Sequence, residues 1–298
     1  MNALLLEFLR RENIAYTIGE DLSKKSYVKI GVLADTVYPK CREQLVSLLV
    51  FLSKEKIRYK LLGAMTNILF CAGSAECLFV STEKVKGVTV DGIVVSAMCG
   101  ERFSSLVLSA AKIGLSLSPS LFGIPGSVGG MLYSNAGAYG AEISDSLANA
   151  EILDINSGRI YNFTKNDMNF SYRGSALQYG NYAVISASFL ACRQNSADVL
   201  LRIREVMNKR RAAQPIGIPS LGSVFKRPAN DYAARLIDAS GLKGVRVGDA
   251  AVSNKHAGFI VNLGRASADD FTALIAIIRD RVYSLYGVLL EEEIEILR

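Results

Sequence analysis

From Ile113 to Ala141 the chain runs 29 residues without a charge, and that stretch holds seven Gly, five Ser and two Pro. A membrane-spanning helix needs roughly 20 predominantly apolar residues. Glycine inside regular structure costs conformational entropy, so the segment reads as a loop system set between regular elements. Its densest part is Gly123-Ile124-Pro125-Gly126-Ser127-Val128-Gly129-Gly130, followed by Asn135-Ala136-Gly137-Ala138-Tyr139-Gly140: six glycines in eighteen residues. Such a backbone can come close to a ligand and aim N–H groups at it, with a pyrophosphate the usual beneficiary. No Gly-Lys-Ser/Thr follows, so this is not a Walker loop, and the spacing is not GxGxxG. On glycine content alone, a structural loop and a ligand cradle fit equally well. A second turn, Gly63-Ala64-Met65-Thr66-Asn67, taken alone, is an ordinary turn after a strand.

A length of 298 residues suggests two or three domains, and half the residues are apolar, enough for sizeable cores. The charged fraction of 21% is ordinary and argues against long disorder. Residues 1–11 read as an amphipathic helix (Leu4, Leu5, Phe8 and Leu9 beside Glu7, Arg10 and Arg11) without the cleavage site of a signal peptide. Five cysteines with no CxxC argue against a disulfide framework or a zinc site and fit reduced thiols in the cytoplasm. His256 is the one histidine, which excludes a poly-His metal site; no metal is expected. The formal charge of +6 is too diffuse to argue for nucleic acid. The cluster Arg202, Arg204, Lys209, Arg210 and Arg211 is either a solvated helix face or a phosphate-facing rim. Neither a membrane nor an obligate protein partner is implied.

Periodicity organises the rest. Leu45, Leu48, Leu49 and Leu52 predict a helix, and Arg58–Leu62 a strand entering the turn at Gly63. Asp91-Gly92 predicts a hairpin between Val88–Val90 and Ile93–Val95. A helix is predicted over Phe103–Lys112. Strands are predicted over Ala150–Asp154 and Arg159–Phe163, flanking a turn at Asn156-Ser157-Gly158, and over Tyr182–Cys192. A basic helix over Ala197–Ala212 leads to Pro215 and Pro219. Next come a helix near Tyr232–Ala239, strands near Ala251 and Phe259, and a long helix with the stripe Phe271, Leu274, Ile275, Ile278, Val282 and Leu285. Ser267 is its expected N-cap. A strand over Val288–Leu297 closes the chain.

Several motifs in order carry a resemblance over nearly the full length. They are Gly123 to Gly140, Tyr172-Arg173-Gly174-Ser175, Gln214-Pro215, Gly222-Ser223-Val224-Phe225-Lys226, Gly241-Leu242-Lys243-Gly244, Val252-Ser253-Asn254-Lys255-His256-Ala257 and Leu290-Glu291-Glu292-Glu293-Ile294. The chain resembles the UDP-N-acetylenolpyruvoylglucosamine reductases, and among them the shorter branch without a substrate-capping insertion. The resemblance implies an α+β fold: a two-part FAD-binding region of the vanillyl-alcohol-oxidase type (residues 1–83 and 84–195) and a C-terminal α+β substrate domain (residues 196–298). It also implies noncovalent FAD, NADPH as hydride donor, UDP-N-acetylglucosamine enolpyruvate as substrate, and a cytoplasmic role in peptidoglycan precursor synthesis.

By motif position, the resemblance makes Arg173 and Glu293 the groups that bracket the substrate carboxylate and Ser223 the proton donor. It places Gly63, Ala64, Met65, Thr66, Asn67, Pro125, Gly126, Ser127, Gly129, Gly130, Asn135 and Gly137 at the cofactor. Tyr172, Lys226 and His256 are placed at the substrate, with a hydrogen-bonded structural role for His256 equally open. The chain departs from the family pattern at several positions. Ala64 and Met65 stand where the flavin turn is usually richer in glycine, and Val32 follows Gly31 where a second glycine is common. Pro119-Ser120 stand where a glutamate is frequent, Arg227 replaces an asparagine, and Glu292 replaces a proline. The drift at Ala64-Met65 motivates one alternative, a diverged relative that binds flavin or a UDP-sugar without reducing anything.

Overall fold

The stripe Leu45, Leu48, Leu49 and Leu52 becomes the buried face of the helix Arg42–Lys54. The computed structural model, which describes residues 1–298, uses that helix as the crossover between two parallel strands, Leu33–Tyr38 and Tyr59–Leu62. Both pair in parallel with Leu78–Ser81, which lies between them. A parallel pair needs such a crossover because its strands run the same way. Phe51, on the same helix, stacks on Phe8 of the helix Ala3–Arg11 at 3.9 Å.

A five-stranded antiparallel sheet follows, in the order Arg159–Thr164, Leu147–Asp154, Tyr182–Leu190, Val94–Met98, Val88–Asp91. The expected hairpin is present: Asp91 pairs with Val94 across Gly92, whose φ is 59°. The helix Phe103–Lys112 has the predicted bounds and sets Phe103 edge-on to Phe189 of this sheet, 5.6 Å between ring centres. Asp154 ties the 156–158 turn by accepting from the N–H groups of Asn156 and Ser157. The predicted strand over Tyr182–Cys192 is interrupted at Ala191 and resumes as Cys192–Arg193.

The chain forms two compact units, each discontinuous in sequence: residues 1–19, 35–64 and 77–208, and residues 20–34, 65–76 and 209–298. This partition cuts the chain differently from the three consecutive segments expected above. The second unit takes in residues 20–34 because Val28 and Ile30 join its core, and because Asn262 Nδ2 donates to the Val28 carbonyl at 2.9 Å.

The second unit has an antiparallel sheet in the order Ser220–Ser223, Phe259–Asn262, Ala250–Val252, Arg246–Val247. The helices Ala233–Ala239 and Ala268–Tyr286 share its apolar core. Phe271, Leu274, Ile275, Ile278 and Val282 are buried as their spacing requires, but Leu285 is 45% exposed. The stripe ends one turn early because the helix stops at Gly287, whose φ of 67° closes it with a left-handed cap. The predicted strand over Val288–Leu297 is cut down to Glu295–Leu297, parallel to Ile68–Phe70, with an isolated bridge at Glu292 before it. The basic helix spans Ser196–Ala213; Arg202, Arg204, Lys209 and Arg211 are exposed on it, while Arg210 is buried. No helix is long and apolar enough to cross a membrane.

Ser267 caps the long helix in a reciprocal box: its Oγ accepts from the Asp270 N–H at 3.0 Å, and Asp270 Oδ2 accepts from the Ser267 N–H at 2.8 Å. Ser267→Ala should therefore cost about 1 kcal/mol, seen as a lower urea midpoint, with Ser267→Asp close to wild type. Equal midpoints for all three proteins would show that the cap contributes nothing.

Candidate functional site

In the first unit, the turn at Gly63 lies against the loop at Ser127. A Cβ on Gly63 would sit 2.5 Å from Ser127 Oγ, so a larger residue would require the serine hydroxyl to turn away from its cap. Ser127 Oγ also caps the short helix Val128–Tyr133, accepting from the Gly130 N–H at 3.3 Å. Two turns far apart in sequence, both assigned to the cofactor by resemblance, are thus side by side. Ser127 is buried, whereas Pro125, Gly126 and Gly129 are half-buried and Gly130 is exposed.

Asn135 follows in the same loop, with φ 42°. Its Nδ2 donates to Glu142 Oε2 at 2.8 Å and to the Ser171 carbonyl at 3.0 Å. Its Oδ1 is buried and has no hydrogen-bond partner. A buried polar atom without a partner costs about 1–3 kcal/mol, so this oxygen calls for a donor from outside the chain.

Arg173 occupies the third position of the tight turn Ser171–Gly174, which is closed by backbone bonds in both directions. Its φ is 56°, in the left-handed region. Type II turns reserve that position for glycine, and a non-glycine residue held there stores roughly 1–3 kcal/mol of strain. The surroundings fix it nonetheless. Arg173 Nη2 donates to the Gly137 carbonyl at 3.0 Å, the guanidinium lies 5.0 Å from the Tyr172 ring centre, and Gln178 Nε2 donates to the Arg173 carbonyl at 3.2 Å. Glu142, Ser171 and Gln178 were not singled out by sequence reasoning. Their contacts span up to 45 residues and leave no local pattern.

In the second unit, Ser220 pairs with Val261 and Ser223 with Phe259, so three steps on one strand face two on the other. The extra residue is a β-bulge, and Gly222 within it has φ 77°. Bulges with a left-handed glycine twist the strand and re-aim the next side chain, which gives the Gly-Ser pair of this motif a physical reason. The chain then runs beside 291–293. Glu293 N–H donates to the Val224 carbonyl at 2.7 Å, and Lys226 N–H to the Glu291 carbonyl at 2.8 Å. Val224, which follows Ser223, and Glu293 are therefore held at neighbouring backbone positions. Asn67 clamps the outer side of Glu293: its Nδ2 donates to the Glu293 carbonyl at 3.1 Å, and its own carbonyl accepts from the Glu295 N–H at 2.9 Å.

Met65 has φ 50° and is only 4% exposed, so its side chain does not point outward. Its carbonyl accepts from the Tyr27 N–H at 3.2 Å. Ala64 and Thr66 beside it are half-buried. Lys226 Nζ lies 3.4 Å from Glu291 Oε2, in a pair whose glutamate is 73% exposed. His256 serves its own turn: Nδ1 accepts from the Gly258 N–H at 3.1 Å, and the ring meets Phe259 edge-on at 4.9 Å. The Gly258 carbonyl in turn accepts from the Val224 N–H at 2.9 Å. His256 is thus one step removed from Ser223. No group of acidic, cysteine or histidine side chains could hold a metal ion.

Comparison with known proteins adds the following. A family model described as UDP-N-acetylenolpyruvoylglucosamine reductase, C-terminal domain, matches residues 214–297, and one described as FAD binding domain matches residues 34–164. The UDP-N-acetylenolpyruvoylglucosamine reductase of Caldicellulosiruptor bescii is 38% identical over 97% of this chain and 92% of its own length. That of Streptococcus pneumoniae strain JJA is 36% identical over 98% and 97%. The crystal structure of the Thermus caldophilus reductase superposes with a TM-score of 0.79 at 31% identity, covering 96% of this chain and 99% of that one.

Burial, reinforced by the positive charge of Lys243, pushes the His256 imidazole below its ordinary value of 6.5. The Nδ1 acceptor to Gly258 requires that unprotonated nitrogen. Above pH 6.5 the ring is neutral folded and unfolded, and stability does not depend on it. As pH falls through 6.5, the unfolded chain takes up a proton that the folded chain resists, so stability drops until the lowered folded pKa is passed. Wild type should lose melting temperature in that window relative to His256→Gln, whose amide oxygen can still accept. Parallel curves would show that His256 titrates alike in both states.

Proposed function

Because the chain belongs to the UDP-N-acetylenolpyruvoylglucosamine reductase family, we propose that Arg173, Ser223 and Glu293 carry that family's reaction in it: reduction of UDP-N-acetylglucosamine enolpyruvate to UDP-N-acetylmuramate, with noncovalent FAD and NADPH. The observation that supports the assignment is that Ser223 lies between the register shift at Gly222 and Val224, whose carbonyl accepts from the Glu293 N–H, so the two motif segments run side by side. The non-catalytic alternative gains nothing from the relatives, which are named as reductases.

The residues present fit FAD. Gly63 and Ser127 bring two loops close together, and Asn135 offers a buried acceptor without a partner inside the chain. We assign cofactor contact to Gly63–Asn67 and to Pro125, Gly126, Ser127, Gly129, Gly130, Asn135 and Gly137. When bound, FAD supplies the route by which a hydride from NADPH reaches the terminal carbon of the enolpyruvyl group.

Hydride addition leaves negative charge on the adjacent carbon, spread into the carboxylate. Arg173 stabilises that charge with a guanidinium already fixed by Gly137 and Tyr172, so little reorganisation is needed at the moment of reaction. Glu293 donates a hydrogen bond to the same carboxylate, as neutral carboxylic acids do at other enolising sites. The Ser223 hydroxyl delivers the proton to the charged carbon. Tyr172, Lys226 and His256 are assigned to the substrate side, His256 through the turn that supports Val224. The reaction belongs to peptidoglycan precursor synthesis, and nucleotide substrates of this kind are the ground for inferring a cytoplasmic location.

Ser223→Ala should leave flavin reduction by NADPH intact, since no serine proton enters that step, and should slow reoxidation by the enolpyruvyl substrate about 10²- to 10⁴-fold. Stopped-flow traces of the two half-reactions separate the outcomes; equal slowing of both would make Ser223 a structural or flavin-binding residue. Among the C-terminal acids, Glu293→Gln should keep part of the activity because an amide can still donate, and Glu293→Asp should lose more because it shortens the reach. Glu291→Gln, at an exposed pair, should stay within about twofold. Steady-state kinetics on the three variants decides it, and an inactive Glu291→Gln with a silent Glu293→Gln would shift the assignment to Glu291.

A further inference from the structure

Residues 290–294 run beside 224–226 with no strand on their other side beyond the single clamp at Asn67. Two bonds hold the segment, Glu293 N–H to Val224 and Lys226 N–H to Glu291. With the Asn67 clamp they fix the height of the backbone, and the side chains that anchor one face set its rotation about the chain direction. Rotation matters here, because successive side chains in an extended segment point to opposite faces. Whatever holds Glu292 to one face holds Glu293 to the other.

Leu290 and Ile294 are both buried, so their face looks into the core of the second unit. Glu292 lies between them on that face, where an apolar residue would be expected. Its Oε1 accepts from Arg279 Nη1 at 2.8 Å, and Arg279 projects from the helix Ala268–Tyr286. The two side chains are 36% and 28% exposed, so the pair has little value for global stability. Its geometric effect is specific, since it ties residue 292 to a long, capped helix on the face opposite Glu293.

We propose that Arg279 and Glu292 are positioning residues for Glu293: the ion pair turns the segment so that the Glu293 carboxyl faces the substrate. The proposal rests on the reading that Glu293 acts on the substrate carboxylate. It also accounts for the glutamate at a position where the resemblance leads one to expect proline. Phe225 and Glu292 form a pair whose two ladder bonds run through the flanking residues, so the N–H of residue 292 is not used in the ladder. A proline there would break neither bond, and its ring would fix φ of residue 292. The ion pair and the ring would each restrict the segment at that residue.

The test compares holoenzymes of wild type, Arg279→Met, Arg279→Lys, Glu292→Gln, the double variant Arg279→Met/Glu292→Gln and the double variant Arg279→Met/Glu292→Pro. FAD content and circular dichroism confirm that each is folded. Flavin reduction by NADPH and reoxidation by UDP-N-acetylglucosamine enolpyruvate are timed separately. Arg279→Met and Glu292→Gln should each slow reoxidation roughly 10- to 100-fold, as expected of a misplaced group, and leave flavin reduction unchanged. Their combination should be no slower than either alone, Arg279→Lys should recover part of the rate, and Glu292→Pro in the Arg279→Met background should recover most of it. Reoxidation within twofold of wild type in both single variants overturns the proposal, as does equal slowing of both half-reactions or a proline that restores nothing. Glu293→Gln serves as the reference: if it reoxidises at the wild-type rate, the Glu293 reading itself fails, whereas a slow Glu293→Gln beside a normal Arg279→Met removes only the positioning role.

Discussion

The hydrogen bond from Glu293 N–H to the Val224 carbonyl, 2.7 Å long, joins the C-terminal segment to the strand that carries Ser223. Much of the second unit's organisation converges on it. The bulge at Gly222 sets the direction of the strand entering Val224. The Gly258 carbonyl holds Val224 from the other side, and the His256 turn holds Gly258. Asn67 closes the outer side of Glu293, and the pairing of Glu295–Leu297 with Ile68–Phe70 continues from that clamp. Separate segments of chain thus meet around one backbone bond, and the side chains they carry are the ones whose mutual placement proton delivery would need.

A second constraint is conformational. Met65, Asn135 and Arg173 all have φ between 42° and 56°, where glycine would be the easy choice. Each is held there by named bonds: Tyr27 to the Met65 carbonyl, Glu142 and Ser171 to the Asn135 amide, Gly137 and Gln178 to Arg173. Strain of this kind persists only where the surroundings over-determine the backbone, and it gathers at functional loops. A guanidinium fixed before the substrate arrives loses less entropy on binding and needs less rearrangement as charge develops.

The regular elements were legible because one face of each is buried against a single apolar layer. The helix over Phe103–Lys112 was bounded correctly from its stripe, and Ser267 was legible as a cap because cap and carboxylate lie three residues apart. Legibility failed where long-range contacts decide. Val288 to Ile294 alternates like a strand, yet only one bridge forms there, because the chain beside it at 224–226 is itself no longer in the sheet. The Arg279–Glu292 pair that explains the odd acid on the apolar face joins a helix to a tail and has no sequence signature. Residues 20–34 and 65–76 belong to the second unit through contacts far along the chain, such as Asn262 to Val28 and Asn67 to Glu293, 234 and 226 residues apart. For the candidate site, the motif residues were reached through resemblance, while Glu142, Ser171 and Gln178, which hold them, carry no motif.

The glycine-dense loop shows how a composition signal and a ligand signal separate. Tyr139 and Gly140 have φ of 53° and 79° and make the tight turn of a hairpin in which Ala138 pairs with Ala141, so Gly140 is there for the turn. Gly137 is needed because a Cβ would sit 2.7 Å from the Ala141 carbonyl, and Gly129 because one would press on Cys99 at 3.2 Å. The chain's own packing already accounts for these glycines, apart from any cofactor contact that Gly129 and Gly137 make. Gly63 differs, since what it approaches is the side chain of Ser127 on the other loop, and Asn135 nearby keeps an acceptor that the chain does not satisfy. Glycine density marks how tightly the loop folds on itself; the close approach of two loops and the unsatisfied oxygen are what support the proposed cofactor contact. On that ground the methionine at 65 is compatible with the fold. Its side chain is buried, and the position demands only a left-handed backbone, which the Tyr27 bond helps to hold. Gly63, two residues earlier, faces a hydroxyl 2.5 Å from where a Cβ would be, so a side chain there would displace the Ser127 cap.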